Sequence, residues 1–313
     1  DALSPFYLLG NKFAITISKL QLATQTVKGA ITETLQQLEA LGGIPNFFGH
    51  QRFGTTRPIT HLVGKAVVNG DFKEASMLFL AKPSQHEHPE SKQAREELQA
   101  TFDFEKALQG FPKQLRFERL MLRHLAKDPC DFLGAFQQLP FKLQMLFVQA
   151  YQSYLFNRFL SNRIIKGLSL NAAEEGDYVV NVDRAGLPVS KSGKLATESG
   201  LSEINAMVNA GRLRVSLPLI GFRQKVSQGV MGKIEERILK SEGVAPERFR
   251  IASIPRISGS GELRTVISPI RNFTLRAFEE DKAELSFRLF RGSYATMLLR
   301  EIMKPRNPIA AGF

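Results

Sequence analysis

The chain has 313 residues, 43% of them hydrophobic and 23% charged, enough for a packed core and long enough for two domains or one large one. No apolar run approaches the roughly 20 residues of a membrane span, and no signal-peptide pattern follows Asp1-Ala2-Leu3-Ser4-Pro5; the single cysteine, Cys130, excludes an internal disulfide and a Cys-based zinc site. The net charge of +12 points to a polyanionic partner, because Lys and Arg contacts release counterions from a phosphate backbone, and with no Trp but 24 Phe any stacking on bases falls to Phe, Tyr or Arg.

Gly10 to Leu20 reads as a strand, because Phe13, Ile15 and Ile17 alternate with Ala14, Thr16 and Ser18. Val27, Ile31, Leu35, Leu38 and Leu41 recur at helical spacing, and Gly42-Gly43 supplies the stop. Ile44-Pro45-Asn46 begins an irregular, glycine-punctuated stretch that ends at Gly54. From about Gly70 to Leu139 the pattern is helical and more charged, with a solvated loop around His86-Glu87-His88 and a polar helix surface over Ser91 to Leu98. Leu115, Leu122 and Leu125 mark a further helix over Gln114 to Leu125. Leu143 to Ile165 is a strong helix whose aromatics Phe147, Tyr151, Tyr154, Phe156 and Phe159 read as core. β character follows: Tyr178 to Val182 is a strand, Asp183 to Gly186 a turn, and Val215 to Leu219 another short strand. Gly232 to Ser241 is a charged helix. Lys282 to Phe290 is a strand with Ala283, Leu285, Phe287 and Leu289 on one face, and Tyr294 to Lys304 is a last helix stopped by Pro305.

The densest set of chemistry-bearing residues is Asn46-Phe47-Phe48-Gly49-His50-Gln51-Arg52-Phe53-Gly54. Amide, aromatic and guanidinium groups lie around two glycines, a set able to stack on a base, pair with its edge and hold a phosphate. A packed turn with buried Phe residues would carry the same letters. The stretch resembles the signature of the TruD family: Asn, two aromatics, Gly, any residue, Gln-Arg-Phe-Gly. Gly292-Ser293-Tyr294-Ala295-Thr296, with Leu299-Arg300-Glu301, is similar to the family's C-terminal motif. Gly10-Asn11-Lys12-Phe13 is similar to the strand entering the family's catalytic sheet, and Gln149 to Asn157 to the helix that opens its inserted domain. The matches keep the family's order along nearly the whole chain.

The resemblance implies an α/β fold with a mixed sheet: a pseudouridine synthase catalytic domain from residues 1–70 and 262–313, with a large family-specific α/β insertion at 71–261. The helical stretch 71–139 is similar to the longer insertion of archaeal-type members. It also implies a tRNA pseudouridine synthase, an isomerase that needs no cofactor and whose family site is uridine 13 in the D arm. In the family an aspartate carboxylate acts as nucleophile at the ribose C1′ or the uracil C6, and the target base must leave its stack. Carried over by motif, Phe48 would help close the pocket and Asn46 would hold the aspartate or the base. Tyr294 would stack on the uracil, and Gln51, Arg52 and Phe53 would shape the loop against the RNA. Arg300 would join the substrate-binding set, or else form a buried ion pair under the last helix.

The family nucleophile sits in a segment reading roughly Gly-x-Lys-Asp-x-x-Ala-x-Thr-x-Gln, ahead of the strand that starts here at Gly10. The sequence of 313 residues does not contain it, so the nucleophile is expected upstream of residue 1, and the chain, which begins without Met, is expected to be an inactive fragment on its own. Lys127-Asp128 is the only Lys-Asp pair, but Pro129-Cys130-Asp131 follows and its place in chain order is wrong; it reads as a helix end. Asp1 reads as linker and Asp183 as a turn residue. Gly259-Ser260-Gly261 lacks the Gly-Lys-Ser/Thr of a phosphate loop, and the five histidines give no metal pair. The alternative function is an RNA-binding protein or RNA chaperone without catalysis. A monomer in a reducing cytoplasm, with tRNA as partner, no membrane and no protein partner, completes the expectation.

Overall fold

A computed structural model describes residues 8–279, 281–309 and 311; Asp1 lies outside them. In chain order the first half runs β1 (Gly10–Ile17), α1 (Thr24–Ala40), β2 (Ile44–Pro45), α2 (Thr60–Val68), α3 (Phe72–Ala81), α4 (Pro89–Thr101), α5 (Phe104–Gly110), α6 (Arg116–Leu125), α7 (Phe132–Gln137) and α8 (Phe141–Ile165). The second half runs β3 (Tyr178–Asn181), β4 (Lys194–Leu195), α9 (Leu201–Asn209), β5 (Leu213–Leu219), α10 (Gly229–Glu242), β6 (Glu262–Thr265), β7 (Ile267–Ser268), β8 (Ile270–Glu279), β9 (Lys282–Phe290) and α11 (Ala295–Met303). Helices and strands mix throughout, in keeping with the α/β expectation, and every strand pairing among the described residues is antiparallel.

Three sheets form among the described residues, ordered β1-β9-β8, β2-β7 and β4-β3-β5-β6. The first joins the two ends of the chain, with Phe13 opposite Phe287 and Ile15 opposite Leu285. Ala283, Leu285, Phe287 and Leu289 face inward, where Ile31 and Leu38 of α1 and Met297 and Leu298 of α11 cover them in a small core. Alternating apolar residues on β9 meet helical faces of matching spacing, so each element buries the side it could not leave in water.

The larger core is built around α8. Phe147, Tyr151, Phe156 and Phe159 are buried as the stripe predicts, while Tyr154 is only half-buried and turns its hydroxyl to Glu242 of α10. α2 packs along α8, with Val63, Gly64 and Val67 buried, so the expected domain limit at residue 70 falls just after a helix whose apolar side joins this core. At the far end of α8, Arg163 makes two hydrogen bonds, of 2.7 and 2.6 Å, to the Asp177 carboxylate, both side chains fully buried. That pair ties α8 to the entry of β3.

The structure corrects several expectations. β1 stops at Ile17 rather than Leu20, because Lys19 takes a left-handed φ of 61° and ends the ladder. β8 is a ten-residue strand that alternation did not reveal; register shifts between Arg271 and Thr274 and between Leu275 and Ala277 break its period. The Ser91–Leu98 surface is not simply polar, for Ser91 and Arg95 are buried. Arg95 donates to Glu87 at 2.9 Å and to Glu118 at 2.7 Å, which also takes Glu87 out of the solvated loop assigned to it. The α10 helix is charged, yet Glu235 is fully buried, accepting from the Ser227 amide and hydroxyl.

Candidate functional site

The stretch after β2 does not form a regular element, and its shape is fixed by side chains reaching in from distant parts of the chain. The Asn157 side chain on α8 accepts from the Phe48 N–H at 2.9 Å and donates to the Phe48 carbonyl at 3.0 Å, acting as a short strand partner for one residue. Arg52, in a 3-10 turn over His50–Arg52, donates to Ser153 at 3.2 Å and to Gln149 at 3.4 Å. Gln149, Ser153 and Asn157 recur every four residues, so they form one polar stripe along the face of α8 that meets the loop. That stripe could have been found by spacing alone. Gly49 is crowded: a Cβ there would stand 3.0 Å from both the Tyr294 ring and the Thr296 hydroxyl, so any larger residue would have to push these side chains aside by a few tenths of an ångström. Gly54, at φ 99°, turns the chain toward α2.

Asn46 and Arg264 form the centre of the site. The Asn46 amide donates to the carbonyl and hydroxyl of Thr265, at 3.0 and 3.2 Å. Its side-chain oxygen accepts from Arg264 at 2.6 Å. Arg264 also donates to the Asn46 and Gly292 carbonyls, and its guanidinium lies 4.0 Å from the centre of the Phe48 ring. None of these acceptors is a carboxylate. Burial lowers the Arg264 pKa to about 10; nearby Arg52 acts the same way, while Tyr294 and Glu262 oppose it. Arg264 lies on β6, a short strand outside every segment singled out in the sequence, and no periodic signal marks it.

Tyr294 stands at the start of α11, its ring 6.0 Å from that of Phe48 at 65°. Phe48 in turn meets Phe156 edge-on at 5.7 Å. A cavity of about 630 Å³ opens beside these groups, lined by Asn46, Phe48, Arg52, Arg264, Arg214 and Phe290 among others. It is large enough for a nucleotide unit. Glu262 is the one carboxylate among its lining residues. On the other side of Phe48 a second cavity of about 430 Å³ is lined by Phe47, Asn157, Arg300 and Lys304.

The structure thus places Asn46, Phe48 and Arg52 on the cleft, with Tyr294 touching Phe48 but not among the residues that line it. Gln51 is exposed and accepts from the Thr296 hydroxyl at 3.1 Å. Phe53 points away from the cleft, edge-on to His61 at 5.3 Å. Arg300 is exposed on the second cavity, which removes the buried-ion-pair alternative. Asp128 caps the amide of Cys130 on an exposed turn, outside the residues that line the cleft. Asp183 caps the Ala185 and Leu187 amides at the β3 turn. No helix among the described residues is long and apolar enough to cross a membrane.

The family model described as TruD, tRNA pseudouridine synthase D, matches residues 1–302. A protein of Methanosarcina mazei named probable tRNA pseudouridine synthase D is 40% identical over 308 residues, covering 96% of this chain and 70% of its own length. A protein of the same name from Methanopyrus kandleri is 38% identical over 302 residues, covering 96% of this chain and 66% of its own length. The crystal structure of the Methanosarcina mazei TruD protein superposes with a TM-score of 0.90 at 39% identity, over 96% of this chain and 70% of that one.

Proposed function

Because the chain belongs to the TruD family, we propose that it isomerises uridine to pseudouridine in tRNA, at the family's position 13 in the D arm. The observation that carries this reading is convergence. The Asn46–Gly54 loop and the polar stripe of α8, about 100 residues apart in sequence, meet on one cleft with Gly292 and Ser293, which lie just ahead of α11. A base turned out of its stack would enter there. Phe48 forms the wall that excludes water, and Tyr294, packed against Phe48 outside the residues that line the cleft, stacks on the uracil once its ring turns toward the cleft. Asn46 acts through Arg264, holding its guanidinium in place.

Arg264 has the character of a waiting counter-ion. It is largely buried, charged and hydrogen-bonded only to neutral oxygens, so an anion placed beside it would be held strongly. The carboxylate nucleophile that the family carries ahead of its first matched strand suits that place. Covalent attack by a carboxylate divides a difficult glycosidic cleavage into two easier steps. The C1′–N1 bond breaks, the uracil turns, a C1′–C5 bond forms, C5 loses its proton and N1 gains one. Atoms and electrons balance within the substrate, and no redox group is needed. The reading also carries tRNA as partner and the cytoplasm as compartment, with the protein acting as a monomer.

RNA binding without catalysis is the second reading, and one observation favours it: Glu262 is the sole carboxylate on the cleft among the described residues. Chemical detection of pseudouridine in a tRNA transcript separates the two. Residues 1–313 should convert no uridine alone and should do so once joined to a family segment containing its Lys-Asp, but not when that Asp is changed to Asn. Failure of the joined protein, with its tRNA affinity intact, would favour the second reading. Conversion by residues 1–313 that Asp128→Asn abolishes would move the nucleophile to Lys127-Asp128.

A further inference from the structure

The face of the β1-β9-β8 sheet turned away from the small core carries an unusual row. Lys12 is the register partner of Arg288, and Arg288 is the register partner of Arg271, so three cations stand side by side across three strands. All three are exposed. Like charges directly opposite one another on a sheet are unfavourable. Charged residues on edge strands are a common protection against mispairing, which would account for Lys12 and Arg271. It does not account for Arg288, which lies on the central strand of the three.

The row leads to the cleft. Phe290 is two residues beyond Arg288 and shares its face. The guanidinium groups of Arg271 and of Arg214, on β5 of the four-stranded sheet, each lie 5.8 Å from the Phe290 ring. Arg214 and Phe290 both line the main cavity. Burial lowers the pKa of Arg214, the charge of Arg271 lowers it further, and Asp183 raises it. Asp183 therefore compensates Arg214 in part, and Glu284 shares the outer face of β9, opposite Thr16 and four residues from Arg288. Neither carboxylate pairs with the row: Lys12, Arg214, Arg271 and Arg288 make no salt bridge among the described residues.

We propose that this face is a second RNA-contact surface, in which Lys12, Arg288 and Arg271 hold the phosphate backbone of the strand leading out of the cleft past Arg214 and Phe290. The inference rests on the tRNA reading above and extends it beyond the pocket. Two strand spacings of about 4.8 Å give the row a width of about 10 Å, about three steps of the ~3.4 Å rise of one strand of a duplex, so each cation has a phosphate within reach. The contacts are to phosphate, so they set register and affinity rather than sequence.

The test is a titration of a tRNA transcript with residues 1–313 between 50 and 200 mM salt, for the unsubstituted chain and for the triple variant Lys12→Gln, Arg271→Gln, Arg288→Gln. A control triple variant, Lys113→Gln, Arg116→Gln, Lys127→Gln, removes the same three charges from exposed positions in and around α6. Removing three phosphate contacts should reduce the log–log salt slope by about 2 to 3. Over that fourfold range of salt, the unsubstituted chain should therefore lose about 20- to 40-fold more affinity than the sheet variant. The control should keep the original slope, and the sheet variant should melt no lower than the unsubstituted chain. Salt-dependent binding by the unsubstituted chain with an unchanged slope in the sheet variant defeats this proposal alone. So does an equal change in both variants, which would make net charge the cause, or a lower melting temperature, which would make the row structural. If the unsubstituted chain does not bind tRNA at all, the tRNA reading fails and takes this one with it.

Discussion

Replacing Asn157 by Ala removes the clamp on the Phe48 backbone while leaving the rest of α8 intact. Two hydrogen bonds disappear, of 2.9 and 3.0 Å, and the Phe48 N–H and carbonyl are left without their partner. A hydrogen bond contributes about 0.5–1.5 kcal/mol net, and a buried group left unpaired costs about 1–3 kcal/mol. The second cavity reaches both Asn157 and Phe48, so water can take up part of the loss. The expected local cost is therefore about 2–3 kcal/mol, or roughly 30- to 150-fold in an opening equilibrium. Hydrogen exchange at the Phe48 amide reads that opening directly. Asn157→Asp keeps the acceptor for the amide and removes the donor to the carbonyl, so it should protect the Phe48 N–H better than Ala does. A Phe48 amide in the Ala variant that exchanges within about threefold of the original rate would show that the loop is held by its rings alone.

Three further outcomes follow from the same structure. Asp177→Ala strands the fully buried Arg163 guanidinium and should cost about 3–5 kcal/mol in urea unfolding; a loss under about 1 kcal/mol would mean the pair contributes little to the fold. Glu235 should make stability fall as pH rises: its carboxyl, raised by burial from 4.5 to about 8, holds its proton in the folded state across that window while the unfolded chain releases it. Glu235→Gln should flatten the stability–pH curve between those values, and parallel curves for the two proteins would contradict the assignment. Tyr294→Phe should keep tRNA affinity, whereas Tyr294→Ala should lose about 1–3 kcal/mol of stacking; equal losses would put the hydroxyl, not the ring face, in contact with RNA.

Elements with a clean period were legible in the sequence. β9 buries every second residue, and the aromatics of α8 fill the larger core because period and environment agree along both. β8 was not legible, since its two register shifts interrupt the alternation that would reveal it. Buried charge was hidden for a different reason. Arg95 and Glu87 read as solvated because single residues carry no sign of the partner that folding will bring, here Glu118 on α6. The site divides along the same line. Asn46, Phe48, Arg52 and Tyr294 lie in motifs compact enough to read. Asn157 lies in a stretch that reads as a helix, but its function depends on a neighbour 109 residues away.

Arg264 shows why the centre of the site needed the fold. The other arginines sunk deepest in the chain are neutralised: Arg95 by Glu87 and Glu118, and Arg163 by Asp177. Burying a guanidinium is costly unless an opposite charge or dense hydrogen bonding compensates it; the fold provides that charge at Arg95 and Arg163, while half-buried Arg119, away from the cleft, is held by the Leu108 and Phe111 carbonyls. At Arg264 it provides two carbonyls, one amide oxygen and the face of Phe48, all neutral. Asn46 spends its own amide on Thr265 and its oxygen on the guanidinium, so the residue with the strongest motif signal serves to hold a cation beside an open cavity. A position where charge compensation stops, on the wall of the cleft, is a position prepared for an anion that arrives from elsewhere, either a carboxylate of the reaction or a phosphate of the substrate. The two differ in one measurable respect. A carboxylate joined in the same polypeptide would raise the melting temperature and leave it insensitive to added RNA at this site. A phosphate would make the Arg264→Met variant lose tRNA affinity and about one unit of salt slope.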